Sequence, residues 1–293
     1  RQRQMCIRDS SKGLEAAGYT FDKVYFSEID KHAIANFKYN FPYAEHIGTV
    51  TNIGEVGIER PHIVTFGSPC QNFSAIGDGK GLQGGESHLV RYAVEAVRRF
   101  RPDVFIWENV KGIFFARHRP DFWSIVKAFA DIGGYRLEWQ LCNTAWFLPQ
   151  NRERMYLVGR VADRCTADLF PLPTPGRVHG KVGGDEPAAR PSGTITRNYG
   201  RQPNIGNYVL CLKSGEAYNG TPTPEQLKHV RMLTEVECER LQGFPDNYTR
   251  YGIYDGEKKE IAKIHRYALL GNAVSVPVVR EVAARIRQKT TLF

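Results

Sequence analysis

The chain has 293 residues, 42% of them hydrophobic and 24% charged, ordinary values for a soluble globular protein with a core of its own. No apolar run approaches the roughly 18–20 residues of a membrane span, and the polar N-terminus lacks the apolar stretch of a secretory signal. The balance of 40 Lys and Arg against 31 Asp and Glu gives a net charge of +9 and favours a polyanionic partner, nucleic acid first.

The six cysteines, at 6, 70, 142, 165, 211 and 238, form no CxxC pair. That spacing fits neither a metal site nor a disulfide framework, so no metal is expected and the compartment is a reducing, intracellular one.

Residues 1–12, "RQRQMCIRDSSK", show no strand pattern. From there to about 160 apolar strands alternate with helices. Strand 23–30 is followed by helix 30–41, strand 61–69 by helix 88–100, and strand 102–110 by helix 121–133. The strands 135–143 and 154–160 complete the series. This alternation predicts an α/β fold with a doubly wound, mostly parallel sheet. After about 161 the text turns rich in Pro and Gly (171–193), then polar, aromatic and basic (198–210), as in a smaller, loop-rich lobe. The run from 225, "EQLKHVRMLTEVECERLQGFP", is helical in pattern, and 268–288 reads as a turn followed by a helix.

Strands 63–66 and 104–107 belong to one βαβ unit and so lie parallel in one sheet. Ligand crevices in such sheets lie beyond the carboxyl ends of the strands. Cys70 follows the first strand end and Glu108 the second, so the topology aims both at one crevice. Between them, "QNFSAIGDGKGLQGGES" (71–87) has the glycine content of a mobile lid. A lone cysteine is most often a buried thiol, and a lone glutamate a cap or surface acid. Their convergence at adjacent strand ends, with Pro69 and Gln71 flanking the thiol, favours a nucleophile.

At these residues the chain resembles the DNA cytosine-5 methyltransferase family. "PCQ" (69–71), "ENV" (108–110), "QNRER" (150–154), "RLQGFPDNY" (240–248) and "GNAVSVP" (271–277) occur in that family's order, over roughly residues 13–285. The resemblance implies a Rossmann-like S-adenosylmethionine-dependent methyltransferase sheet, formed by 1–160 and 265–293, with a target-recognition lobe and return segment at 161–264. It implies methyl transfer to C5 of a cytosine flipped out of duplex DNA. Cys70 would add to C6, Glu108 would hold N3 and the exocyclic amine, and Arg154 with Arg152 would hold O2 and orient the glutamate. The methyl donor implied is S-adenosylmethionine, bound by Glu28, Ile29, Pro69, Leu89, Asn272 and Val274, with Asn272 also readable as a turn former. Gln71 and Ser74 would contact DNA. In the lobe, residue type favours Arg197, Asn198, Tyr199, Arg201, Gln202, Asn204 and Asn207 as base readers. Double-stranded DNA is the partner, with a cognate restriction endonuclease where the enzyme serves such a system. A monomer in a prokaryotic or phage-infected cytoplasm is expected.

Two departures stand out. The family opens with an apolar strand and a glycine-rich turn, absent from residues 1–12, which reads as a non-native start. Thr49 stands where the family has an acid facing the adenine amine. Both leave open a catalytically impaired DNA-binding homologue, and a tRNA cytosine-5 methyltransferase is the other alternative. A Rossmann dehydrogenase is disfavoured, because no GxGxxG follows any strand.

Overall fold

The structure is a computed structural model that describes residues 3–6, 10–67, 89–172, 192–199, 207–211 and 223–291. Its centre is a seven-stranded sheet built from β1 (Arg3–Cys6), β2 (Lys23–Phe26), β3 (Ala44–His46), β4 (Ile63–Gly67), β5 (Val104–Val110), β6 (Tyr135–Asn143) and β7 (Glu153–Val161). The order is β3-β2-β1-β4-β5-β7-β6; β1 to β5 run parallel and β7 runs antiparallel to both its neighbours. The chain winds outward from β1 in one direction and resumes at β4 in the other. The topological switch point, where such sheets bind ligands, therefore lies between β1 and β4.

The first of these strands corrects the sequence reading. Arg3–Cys6 lies in the middle of the sheet, with Gln4 in register with Val24 on one side and Ile63 on the other. The four residues "RQMC" carry no alternation and no β-branched residue. Pairing from both sides supplies what local propensity lacks.

The helices form for visible reasons. In α2 (Lys31–Asn40) the Asp30 carboxylate accepts from the His32 and Ala33 amides at 2.8 and 3.2 Å, an N-cap that starts the helix directly after the β2 exit turn. In α3 (Leu89–Phe100), Val90, Ala93, Val94, Val97 and Phe100 fall on one face at helical spacing and are buried. That face and α4 (Arg119–Ala130) cover one side of the sheet, in a core with Val64, Phe66, Phe105, Trp107 and Leu157. On the other side α1 (Ser11–Ala16) and α8 (Val276–Lys289) pack over Ile63, Val104, Ile106, Tyr156 and Val158.

The run from 225 is not one helix. It divides into α5 (Pro224–Leu227), a strand β9 (Val230–Met232) antiparallel to β8 (Tyr208–Leu210), and α6 (Glu235–Gln242). A capping box of Thr234 and Glu237 opens α6 in mid-run and sets the break. The hairpin β10 (Tyr251–Tyr254) and β11 (Glu257–Glu260) follows, held to α2 by the Asn36 side-chain amide, which donates to the Tyr248 and Tyr251 carbonyls at 3.0 and 2.9 Å. "GNAVSVP" does not open on a turn either. Gly271 and Asn272 are the last residues of α7 (Lys263–Asn272), and Ala273–Ser275 make the connection to α8. No helix among the described residues is long and apolar enough to cross a membrane.

Candidate active site

Glu108 sits near the carboxyl end of β5 and is 5% exposed. It stands opposite Tyr156 across the β5–β7 register, so the two side chains share a face of the sheet. Arg154, two residues before Tyr156, shares that face. Its Nε lies 3.1 Å from Glu108 Oε1, and both side chains are largely buried. Glu108 is thus a buried carboxylate near the carboxyl end of β5, held by a neighbouring guanidinium. The hydroxyl of Tyr156 is buried on the same face and has no hydrogen-bond partner among the described residues. Burial, and next the charge of Glu108, push that phenol well above its ordinary range, so it stays neutral.

Arg152 lies two residues before Arg154 and is bonded to backbone carbonyls. It is 2% exposed; Nη1 donates to Ile195 O at 2.9 Å, and Nη2 donates to Gly271 O and Ala273 O at 3.1 and 2.7 Å. Its fork thus rests on three backbone carbonyls, whereas the sequence reading expected it on the base.

The nucleophile expected from the sequence, Cys70, lies outside the described residues, as do Pro69, Gln71, Ser74, Arg201, Gln202, Asn204 and the glycine-rich stretch 71–87. Gly67, the last residue of β4, is in register with Glu108, so the chain leaves β4 beside the Glu108 carboxylate. Two described thiols are poor alternatives. Burial pushes both Cys142 and Cys238 up to about 12.

At the exit of β2, Glu28 Oε1 accepts from the Ile29 and Asp30 amides at 2.7 and 3.0 Å. This turn is tied to the next loop, where a His46 ring nitrogen lies 2.9 Å from Glu28 O and Ser27 Oγ donates to Gly48 O at 2.8 Å. Ile29 is 79% exposed, an apolar side chain in water at the tip of the turn. An acid next to an unpartnered aliphatic surface fits a ribose and an adenine ring, so these residues suit S-adenosylmethionine. Leu89 is half-buried at the start of α3, and Asn272 is exposed at the end of α7. Val274 is 1% exposed within the core of α1 and α8, which leaves its backbone, not its side chain, to face a ligand. Thr49 Oγ1 accepts from the Thr51 amide and caps the short turn Val50–Asn52.

In the lobe, Arg197 and Asn198 are exposed on a turn closed by the Tyr199 amide donating to Thr196 O at 3.0 Å. Tyr199 is corrected. It is buried against Tyr267, and its hydroxyl donates to Asn207 O at 2.6 Å and accepts from the Leu233 amide at 2.9 Å. It is a core residue of the lobe, not a base reader. The Asn207 amide is likewise taken up, accepting from the Gly193 amide at 2.6 Å and donating to Gly193 O at 2.9 Å.

Several residues of the motifs have roles that residue type did not reveal. The Gln150 side chain donates to Leu241 O at 2.9 Å and the Gln242 side chain donates to Leu270 O at 2.8 Å, joining the segment before β7 to α6 and α6 to α7. Glu239 is fully buried and accepts from the Asn247 and Thr249 amides and from Arg266 Nη2 at 2.6, 2.8 and 3.0 Å. The signal was a glutamate adjoining Cys238 on the buried side of α6.

A sequence model of the family described as C-5 cytosine-specific DNA methylase matches residues 7–183 and 187–288. The Type II methyltransferase M.Bsp6I of Bacillus sp. (strain RFL6) is 28% identical over 309 residues, covering 94% of this chain and 93% of its own length. The orphan methyltransferase M.SPRI of Bacillus phage SPR is 34% identical over 149 residues, covering 50% of this chain and 34% of its own. Among solved structures, the Entamoeba histolytica methyltransferase EhMeth superposes with a TM-score of 0.70 at 15% identity, covering 98% of this chain and 99% of that one. The S. pombe Dnmt2 methyltransferase gives 0.67 at 16% identity, covering 98% of each chain. At those identities the structural likeness is one of fold. Matched along nearly all of its length, the chain belongs to the C-5 cytosine-specific DNA methylase family.

Proposed function

We propose that this chain methylates C5 of cytosine in duplex DNA through a covalent adduct between Cys70 and C6. The observation that carries the mechanism is the buried Glu108–Arg154 pair at the carboxyl end of β5, beside the strand end from which the chain leads to Cys70. Membership of the family supports the reaction class and implies S-adenosylmethionine as the methyl donor.

In this reading the Cys70 sulfur bonds to C6 and the electron pair of the C5–C6 double bond shifts onto C5. Glu108 hydrogen-bonds the N3 edge and offsets the charge that develops on the ring. Arg154 keeps Glu108 in place and presents positive charge to the thiolate, which is the reactive form. Bound S-adenosylmethionine supplies the methyl group that C5 takes. A base then removes the C5 proton, the sulfur–C6 bond breaks, and Cys70 leaves as the thiolate. Glu28, Ile29 and the exposed end of α7 at Asn272 would hold the donor, with Pro69 and Leu89 at its methionine end. Arg197 and Asn198, together with Gln71, Ser74, Arg201 and Gln202, would face DNA.

We assign residues 1–160 and 265–293 to the catalytic part and 161–264 to the recognition lobe and its return. The core uniting Ile195, Tyr199, Leu233 and Phe244 with Tyr267 and Leu270 supports a lobe seated on α7. The alternative of an impaired homologue rests on the missing glycine-rich turn and on Thr49; Arg3–Cys6 supplies a first strand, while residues 7–12 hold no glycine. The Type II relatives make a cognate restriction endonuclease the partner to seek, and the chain is taken to act as a monomer.

The test uses duplex DNA containing 5-fluorocytosine with added S-adenosylmethionine. Fluorine at C5 blocks the elimination, so the enzyme is expected to remain on DNA through denaturing electrophoresis, and Cys70→Ser to abolish the adduct. A tRNA substrate trapped in place of duplex DNA would move the assignment to RNA. No adduct on either, with the wild-type chain folded, would sink the mechanism.

A further inference from the structure

We propose that Arg152 and Gly271 form a joint that positions the DNA-facing turn Thr196–Tyr199 on the catalytic sheet, and that Arg152 serves the reaction through this joint and not by touching the base. The proposal rests on the reading above in taking Arg197 and Asn198 to face DNA.

The approach of the two segments begins upstream of Arg152. Ser192 N donates to Pro149 O at 2.9 Å, Asn151 N donates to Ser192 O at 2.8 Å, and Thr194 Oγ1 donates to Asn151 O at 2.7 Å. Residues 192–194 thus run along 149–151 in fixed register, with a parallel bridge between Gln150 and Ser192. Arg152 closes the zipper by donating to Ile195 O at 2.9 Å. The other arm of the same guanidinium takes Gly271 O in the last turn of α7 and Ala273 O at its C-cap.

Gly271 makes the opposing surface. A Cβ there would lie 2.2 Å from both Thr196 C and Arg197 N, so the 196–197 peptide rests directly on the last turn of α7. Ile195 and Tyr199 are buried on either side, while Arg197 and Asn198 stay exposed. A turn clamped at both ends, pressed on a glycine and free at its tip, presents its two polar side chains at a set offset from Arg154. Arg154 is two residues beyond Arg152 and holds Glu108. The planar fork of arginine reaches three carbonyls at once, whereas a lysine keeps the charge but reaches as a point.

The experiment compares the wild-type chain with Arg152→Lys and Gly271→Ala. DNA affinity is read by fluorescence anisotropy on unmethylated duplex, cofactor affinity by calorimetry with S-adenosylhomocysteine, and the chemical step by single-turnover methyl transfer at saturating DNA. Each variant is expected to weaken DNA binding and raise KM for DNA by about tenfold or more, while cofactor affinity and the saturating rate stay within about threefold. Should Arg152→Lys fail to fold, Gly271→Ala carries the same split through sterics alone. Unchanged DNA affinity with a fall in the saturating rate would place Arg152 on the base and overturn the joint. Equal losses of DNA affinity, cofactor affinity and melting temperature would reduce it to fold support and overturn it as well. A wild-type chain that binds DNA but transfers no methyl group counts against the proposed activity alone, because the affinity arm still decides the joint. A wild-type chain that binds no DNA overturns both.

Discussion

Arg154 Nε lies 3.1 Å from Glu108 Oε1, and the antiparallel register of β5 with β7 puts them on one face. The pair is buried, so neither member can be removed without leaving the other a charge to solvate. If Glu108 holds the cytosine ring and Arg154 holds Glu108, the two act as a unit. Glu108→Gln is expected to lower single-turnover methyl transfer by about 10²–10⁴, the usual worth of positioned proton transfer. Arg154→Met should fall in the same range, and the double variant should be little worse than either single one. Quenched single turnovers on unmethylated DNA measure all three; independent, multiplying losses would refute the unit.

How far the sequence revealed this arrangement depends on what each residue is next to. The apolar runs of β4 and β5 and the spacing of α3 announce themselves, because burial on both faces or on one stripe demands those side chains. From them the convergence at Glu108 follows by topology alone. Arg3–Cys6 was invisible because its place in the sheet is secured by neighbours that lie about 20 and 60 positions away in sequence. The bonding of Tyr199 and Arg152 was hidden for a different reason. A tyrosine or an arginine in a polar stretch looks available to a base, and only the fold reveals that the hydroxyl and the fork are already bonded to backbone.

Glu239 makes a stability prediction separate from the chemistry. Its carboxylate is buried and gathers the Asn247 and Thr249 amides and the Arg266 guanidinium, which shapes the segment after α6. Glu239→Ala would leave those donors and a buried arginine without an acceptor. The expected cost is about 3 kcal/mol or more, read as a lower urea midpoint at unchanged slope. A change near zero would show that Arg266 and the two amides find water instead.

Gly159 and Phe105 face each other across the β5–β7 ladder, and a Cβ at Gly159 would come within 2.1 Å of the Phe105 ring. Phe105 is fully buried and stacks on Phe129 with ring centroids 4.9 Å apart, so it has little room to retreat. Gly159→Ala is expected to destabilise the sheet by about 1–3 kcal/mol through overpacking. Combined with Phe105→Leu the loss should be less than the sum, since the smaller side chain makes space for the methyl group. Thermal or urea unfolding of the four proteins in the cycle gives the coupling, and strict additivity would mean that the strain is relieved elsewhere.

The stacked rings of His32 and His265, 3.7 Å between centroids, are expected to set a pH dependence of stability near the β2 exit turn. His32 Nδ1 lies 2.7 Å from the Tyr254 hydroxyl, which joins α2 to the β10–β11 hairpin. Burial, and then the neighbouring His265, hold the His32 imidazole below its ordinary value of 6.5; Asp30 acts in the opposite direction and Lys31 in the same one. Because the folded state resists this proton, the unfolded chain binds more protons in the window between the two values. Stability therefore rises with pH there. It should be constant above about 6.5 as far as this residue is concerned, fall as pH drops below that, and level off once pH is under the lowered folded value. Glu237 titrates in a separate range. Its hydrogen bond with Arg231 holds the carboxyl down at about 2, so its contribution is present above its ordinary value of 4.5 and is lost between there and about 2. Urea midpoints taken between pH 7.5 and 5 should show the His32 decline in the wild-type chain and a flatter profile in His32→Phe. The same slope in both proteins would assign the dependence to another group.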